Sequence, residues 1–469
     1  MVKEKIRVRI APSPTGSLHI GTARTALFNW LFARHQKGTF VLRIEDTDLE
    51  RSDVKFEKEI IEGLKWLGLN WDEGPFRQSE RLDTYEKYLN KLLDEKRAYY
   101  CYCTKEELEH DRQDMLSQGL PPKYSGRCRN IEPEKAKGLV PQVIRFKVPE
   151  AEVEFKDIIR GQISFDAKLM GDIAIAKNTR TPLYNFAVVI DDFEMEITHV
   201  IRGEDHISNT PKQILIQKAL DFPTPHYAHL PLILSADRSK LSKRYAETSL
   251  LLYRDQGYLP EALINFIALL GWHSKEDKEI FLLDGLINEF DLKRVQKGGA
   301  VFNHEKLEWL NAHYIKNMEN GALVGRLMPF LKGKNWASEK DKLMKIVSLQ
   351  KERMSKLTDF LDLADFFFEI ENYPPELLAW QKETKEGAVR NLNHVFELIY
   401  NADLKSWSKE QLQSLIMPYA EEQGRGAVLW PLRVALSGKA ASPGPFEIME
   451  VLGKEESLRR IGDAIQKLK

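Results

Sequence analysis

The chain has 469 residues, of which 43% are hydrophobic and 30% charged, and its net charge is −1. Those values describe a globular protein of roughly two to four domains and exclude a generally basic nucleic-acid coat, though not a local basic patch. No run of about 18 apolar residues exists and the first ten residues lack a signal-peptide core, so the expectation is a cytoplasmic protein with no membrane partner.

Ile6, Val8 and Ile10 alternate with Arg7 and Arg9, which predicts a strand. Pro12, Pro14 and Gly16 stop it. Ser17 is placed to cap a helix whose inner face carries Ala23, Leu27 and Leu31. A strand, a tight turn and a helix N-terminus in succession favour a bound phosphate, with His19 in the first turn and Gly21 leaving room for a flat ligand. An ordinary strand–helix loop reads the same way. Phe40–Ile44 predicts a second strand, with Glu45, Asp46 and Asp48 at its C-terminal edge, where open α/β sheets bind ligands. Asp46 and Asp48 serve equally well as turn and capping residues. Phe56–Leu67 and Arg81–Leu93 are helical in pattern, the second with Leu82, Tyr85, Leu89 and Leu92 inward.

From about residue 99 to 186 the strand–helix alternation pauses. All three cysteines fall here: Cys101 and Cys103 as C-x-C, then Cys128. Three cysteines make no disulfide framework and suit a reducing compartment. Thiolates suit zinc, but a closed structural site takes four ligands. Val143–Val148 and Val153–Phe155 read as strands, with a turn over Asp157–Gly161. Thr210–Leu220 is a helix with Thr210 as cap and Pro211 in its first turn. Leu230–Leu234 reads as one short buried strand. Four cations lie between Arg238 and Arg244, either a solvated surface loop or a cover for phosphates. Leu259–Leu270 is an apolar helix, and 281–315 is helical in pattern; His304 and His313 there read as core or surface residues. Beyond about residue 322 strand-like runs disappear. Residues 332–356 hold eight Lys or Arg against three Asp or Glu, a candidate for contacting a nucleic-acid backbone. Trp430, Arg433, residues 422–425 and the loop 437–445 are further candidates on the RNA side, though each serves a packing or connecting role equally well.

Several stretches together carry a resemblance. His19-Ile20-Gly21-Thr22 and Lys240-Leu241-Ser242-Lys243-Arg244 resemble the two motifs of class I aminoacyl-tRNA synthetases. With Arg43–Asp48 and Ile201–His206 between them, in order over about the first 315 residues, they resemble bacterial glutamyl-tRNA synthetases in particular. Thr22 departs from the usual His and leaves one phosphate contact to a weaker donor. The resemblance implies an α/β fold: a Rossmann-like parallel-sheet catalytic core (1–98 and 187–238) with an inserted α+β acceptor-binding domain (99–186). The second motif loop and stem-contact region (239–321) and an all-helical anticodon-binding region (322–469) would follow. It implies His19, Lys240 and Lys243 as catalytic residues, and adds Gly21, Thr22 and Arg244 for ATP. It assigns Glu45 to the substrate ammonium, Arg9 to the side-chain carboxylate, Arg202 to the α-carboxylate, and Tyr184 and Ser13 to the same pocket. It carries Cys101, Cys103 and Cys128 onto a zinc-binding variant. Asn130 stands where one variant has histidine, and Tyr124 where another has tyrosine, so zinc and a knuckle without metal both remain open.

The implied reaction activates glutamate with ATP and Mg2+ and transfers it to tRNA-Glu, by a monomeric enzyme. Within the family a glutaminyl enzyme is the near alternative, but a neutral amide does not call for an arginine. Whether tRNA-Gln is also charged turns on anticodon-reading residues that match no motif here. A tRNA-independent nucleotidyl transferase fits poorly with the long helical C-terminal part, and a non-catalytic RNA-binding scaffold fits poorly with the intact motif residues.

Overall fold

The computed structural model describes residues 5–48, 50–239, 241, 249–381 and 383–469. They form two compact units, Met1–Asp255 with Pro260–Leu307, and Gln256–Leu259 with Glu308–Lys469.

The first unit begins with β1 (Arg7–Ile10), α1 (Ile20–His35), β2 (Thr39–Ile44), α2 (Val54–Trp66), β3 (Glu73–Arg77) and α3 (Leu82–Asp94). The three strands pair in parallel in the order β1-β2-β3. Every residue of β2 is buried, as a parallel strand covered on both faces requires, which is why it reads as a continuous apolar run. Ala23, Leu27 and Leu31 of α1 are fully buried, as their spacing predicts. The cap of α1 differs from expectation. Ser17 Oγ donates to Glu59 Oε2 at 2.6 Å, and His19 is the N-cap, its Nδ1 accepting from the N–H groups of Gly21 at 3.1 Å and Thr22 at 3.4 Å.

Next come β4 (Ala98–Cys101), α4 (Lys105–Ser117), α5 (Pro133–Ala136), β5 (Val143–Phe146), β6 (Glu152–Asp157), β7 (Gly161–Asp166), β8 (Ile173–Asn178) and β9 (Thr181–Pro182). The chain then returns through α6 (Tyr184–Glu194), β10 (His199–Gly203), α7 (Thr210–Leu220) and β11 (His226–Leu230). Strands β4-β5-β8-β9 form an antiparallel sheet of their own. The hairpin β6–β7 does not join them. It extends the sheet β10-β11-β6-β7, with Asp157 paired to Tyr227 of β11. Asp157 is therefore the last residue of a strand, and the turn is Ile158–Arg160, before Gly161 at φ +87°. Thr198 joins the two halves of the core. Arg7 N donates to Thr198 Oγ1 and Thr198 N to the Arg7 carbonyl, both at 3.0 Å.

Three further expectations shift. Asn209, not Thr210, is the N-cap of α7, with no side-chain cap bond, because the Thr210 hydroxyl is engaged elsewhere. The single strand expected over Leu230–Leu234 is broken at Pro231, which has no N–H to donate, into the end of β11 and β12 (Ile233–Leu234). The segment 281–315 is not continuously helical: β13 (Ala300–Val301) interrupts it and pairs with β12.

The second unit is helical, with no strand among its described residues. Its long helices include Lys385–Asn401, Lys409–Gln423, Arg425–Ser437 and Lys454–Leu468. Leu392, Val395 and Ile399 of the first are fully buried at helical spacing, as are Leu412, Ile416, Leu432 and Ile461 of the three helices packed against it. No helix of the described residues is long and apolar enough to cross a membrane.

Candidate active site

The C-terminal ends of β1, β2 and β10, the N-terminal ends of α1 and α6, and the segment following β11 surround a cavity of about 1060 Å³. Arg9, Ser13, His19, Gly21, Thr22, Glu45, Tyr184 and Arg202 all line it. Every described residue that the motifs single out for ATP or glutamate thus meets in one place. Leu241 also lines it, whereas Lys240, Ser242, Lys243 and Arg244 lie outside the described residues. Asp48 is on the wall, while Asp46 makes a long-range tie instead of a local turn, accepting from Ser79 N at 2.8 Å and Ser79 Oγ at 2.6 Å.

The helix end is tightly built. A Cβ on Gly21 would stand 3.1 Å from the His19 imidazole, so the glycine keeps that ring against the first turn. His19 Nε2 lies 3.2 Å from Thr22 Oγ1.

One side of the cavity is a buried charge cluster. Arg9 donates from Nε to Asp192 Oδ1 at 3.1 Å, and Arg43 from Nη1 to the same oxygen at 2.8 Å. Arg43 Nη2 reaches Glu45 Oε1 at 3.1 Å. Asp191 lies 3.8 Å from Arg43 Nε and is paired to Arg81 at 2.7 Å, so three cations and three anions balance, which is what allows the cluster to be buried at all. Burial pushes the Asp192 carboxyl up, but Arg9 and Arg43 hold it below the usual range. Burial wins at Glu45, whose pKa is raised despite Arg43 and Arg9, so a positive group arriving beside it would be welcomed.

The other side carries Arg202, Tyr184 and His206. The Tyr184 hydroxyl lies 3.0 Å from His206 Nδ1. Burial, and then the nearby Arg202 cation, push the His206 imidazole down to about 4, so it is neutral at pH 7. Arg202 is only 5% exposed. Its Nη2 donates to Thr210 Oγ1 at 2.9 Å and its Nε to His229 Nε2 at 3.3 Å, while Nη1 is buried with no partner among the described residues. An unpaired buried donor is costly unless a ligand supplies the acceptor.

Sequence reasoning missed the supporting residues Asp192, Thr210 and His229. Asp192 ends the apolar stretch of α6 and Thr210 reads as a cap; neither pattern reveals the side chain that each one holds.

A second cluster lies at the start of the insert. Sγ of Cys101, Cys103 and Cys128 are all within 4.8 Å of one another and all three residues are buried. The Tyr124 hydroxyl is 3.4 Å from Cys101 Sγ and 3.7 Å from Cys103 Sγ, while Asn130 is exposed. Burial pushes the Cys103 thiol up to about 12. At Cys101, burial is outweighed by the Tyr124 hydroxyl and Arg145, which lower its pKa. Three thiols and one hydroxyl converging in this way fit a four-coordinate thiophilic ion.

In the helical unit, Trp430 donates to the Leu377 carbonyl at 2.8 Å and packs 4.9 Å from the Trp380 ring, and Arg433 lies over Trp430 and donates to the Ala440 carbonyl. His313 contacts Asn317, Trp309 and Tyr314 on its own helix.

The comparisons with known proteins agree across the chain. The family described as tRNA synthetases class I (E and Q), catalytic domain, matches residues 5–309, and an anticodon binding domain matches 322–465. Glutamate–tRNA ligase 1 of Caldanaerobacter subterraneus subsp. tengcongensis is 48% identical over 474 residues, covering 98% of each chain. Glutamate–tRNA ligase of Thermodesulfovibrio yellowstonii is 47% identical, covering 97% of this chain and 98% of its own. A crystal structure of a glutamate tRNA ligase from Elizabethkingia meningosepticum in complex with its amino acid is 37% identical, with a TM-score of 0.90 over 99% of this chain and 100% of that one. The chain therefore belongs to the class I aminoacyl-tRNA synthetases, in the bacterial-type glutamate–tRNA ligase family.

Proposed function

We propose that this enzyme activates L-glutamate with ATP, taken as its magnesium complex, and transfers the glutamyl group to the 3′ end of tRNA-Glu. The observation that carries this reading is the cavity itself. Two separately held buried arginines and one half-buried carboxylate, Glu45, face it, matching the two carboxylates and one ammonium of glutamate, beside a helix N-terminus suited to phosphate.

Arg9 and Glu45 are joined through Asp192 and Arg43. The substrate ammonium and α-carboxylate share one carbon, so this linkage supports Arg9 for the α-carboxylate and Arg202, beside Tyr184, for the side-chain carboxylate. That pairing is the reverse of the one the family resemblance implies. A glutamine side chain would leave the Arg202 cation without its counter-charge, a penalty of about 2–5 kcal/mol that discriminates strongly.

In the first step an α-carboxylate oxygen attacks the α-phosphorus of ATP, the bond to the β-phosphate bridging oxygen breaks, and pyrophosphate leaves. No general base is needed, because a carboxylate is ionised at pH 7. Catalysis is positioning and charge stabilisation, by His19 and the α1 N-terminus on the described side, and by Lys240, Lys243 and Arg244 on the motif segment. In the second step a terminal ribose hydroxyl of tRNA attacks the glutamyl carbonyl and AMP leaves, its phosphate or solvent taking the proton.

Cys101, Cys103, Cys128 and Tyr124 would hold a zinc ion. Bound there, it supplies a structural cross-link between the end of β4 and the segment around Cys128, more than twenty residues on, remote from the reacting atoms.

The test measures glutamylation of purified tRNA-Glu and tRNA-Gln side by side, with glutamine as competing amino acid. Efficient charging of tRNA-Glu with glutamate, and activation of glutamine at least ~100-fold weaker, is expected. Glutamine activated as well as glutamate would defeat the Arg202 assignment. Negligible charging of tRNA-Glu beside efficient charging of tRNA-Gln would overturn the tRNA reading.

A further inference from the structure

Beneath Arg202 lies a buried pair that neither the motifs nor the reaction uses. Asp157 and His229 are 1% and 0% exposed. Asp157 Oδ2 lies 2.7 Å from His229 Nδ1 and accepts the His229 backbone N–H at 3.0 Å. Its other oxygen accepts the N–H groups of Ile159 at 2.9 Å and Arg160 at 2.8 Å. The carboxylate is thus pinned at both oxygens by backbone. On the far side of the ring, His229 Nε2 faces Arg202 Nε at 3.3 Å and Thr210 Oγ1 at 3.0 Å.

The neighbours fix the ring's proton. A carboxylate can only accept, so Nδ1 carries the hydrogen; a guanidinium can only donate, so Nε2 is bare. Arg202 then spends its side-on fork, Nε and one Nη2 hydrogen, on His229 and Thr210. What is left is the end-on fork formed by Nη1 and the second Nη2 hydrogen, the geometry that grips a carboxylate with two parallel bonds. The unpartnered, buried Nη1 belongs to that fork.

We propose that Asp157 and His229 are positioning residues: Asp157 holds His229 in its Nδ1-protonated tautomer, and His229 aims the end-on fork of Arg202 at the substrate's side-chain carboxylate. The proposal rests on the reading of Arg202 given above. The groups facing His229 are Asp157, Arg160, Arg202, His206 and the Tyr227 ring. Burial, with Arg202 adding to it against Asp157, pushes the His229 imidazole below its ordinary value, which keeps it neutral in the working pH range. A second proton on the ring would set Nε2–H against Nε–H, donor against donor and cation against cation. The relay also reaches Arg202 from the hairpin of the insert, since Asp157 ends β6.

The experiment uses the full chain and reads steady-state glutamylation of tRNA-Glu in four variants: His229→Leu, His229→Gln, Asp157→Asn and Arg202→Gln. His229→Leu removes the acceptor, and Asp157→Asn turns an amide N–H toward groups that need an acceptor. Each should raise the KM for glutamate by ~10-fold or more and leave the KM for ATP within about twofold, since only the aim of one bidentate bond is lost. His229→Gln offers an amide oxygen to Arg202 and should return the glutamate KM to within about threefold of wild type. Equal impairment in Leu and Gln variants, or a parallel rise in both KM values, would mean that the ring is structural only and would overturn the proposal. If Arg202→Gln raises the glutamate KM but the His229 and Asp157 variants do not, positioning fails and the pocket reading stands. If Arg202→Gln has no effect either, the pocket reading fails with it. Should the variants misfold, ¹⁵N-histidine spectra of the wild type decide independently. A neutral His229 protonated at Nε2 would overturn the proposal, and one protonated at Nδ1 would support it.

Discussion

Arg9 and Arg202 show how a side chain's job depends on what already holds it. Arg9 is tied to a buried carboxylate, whereas Arg202 is tied to the neutral partners Thr210 and His229. Histidines are held neutral by the same kind of burial. His199 packs 5.0 Å from Phe32 and 4.8 Å from His226, with Nδ1 at 2.9 Å from Thr198 Oγ1. Burial, then the neighbouring His226, push it down to about 4. The unfolded chain takes up this proton near pH ~6.5, so the stability His199 confers is full above that value and is lost as pH falls toward about 4. At pH 5 the loss is roughly 1 kcal/mol once partial exposure is discounted. His199→Phe should therefore shrink the drop in Tm between pH 7 and pH 5. Identical drops in variant and wild type would remove His199 from the account. Residues such as Arg9, Glu45 and Arg202 were legible because motifs name them. Asp192 and His229 were not, because their partners stand 183 and 72 positions away.

At the level of elements, the insert holds two devices that differ in legibility. The cysteine spacing announces a cluster, since C-x-C at a strand end brings two thiols together whatever the rest does. The Tyr124 hydroxyl completes it only because the chain folds back, accepting the Cys128 N–H at 2.9 Å. Elemental analysis of the purified protein should find about one zinc per chain, and a triple Cys→Ala variant should lose it. A wild type that is metal-free yet fully folded would reduce the cysteines to small buried hydrophobes. The hairpin β6–β7 was read correctly as strand-forming at Val153–Phe155, but its sheet was not legible. Alternation reveals that one face is buried, not which neighbouring strand buries it. That choice matters, because it brings Asp157 under Arg202.

On the scale of the whole molecule, a net charge of −1 leaves tRNA binding to local patches. Within 332–356 the helical unit sorts the cations. Lys334, Lys342 and Lys356 are paired with Asp365, Glu339 and Glu308, whereas Lys332, Lys340 and Lys345 are exposed. A Lys340→Glu/Lys345→Glu variant should raise the KM for tRNA by ~10-fold at low salt and flatten its salt dependence, with the KM for glutamate and ATP unchanged. Unaltered tRNA kinetics would place the RNA backbone elsewhere. The amino-acid sequence by itself determined the α/β class of the first part, the helical character of the last, the motif residues and the cysteine cluster. The helical character and the cysteine cluster follow from local periodicity and short spacings, whereas the α/β class and the motif residues follow from the family resemblance those stretches carry. Only the tertiary structure decided that Ser17 cedes the helix cap to His19, that Pro231 splits a strand in two and that Thr210 serves Arg202 rather than its helix. Ser17 is drawn off to Glu59, 42 positions on, and Asp192 to Arg9, 183 positions back; such choices depend on which group offers the better hydrogen-bond partner once water has been excluded, and no short window along the chain contains both members of these pairs.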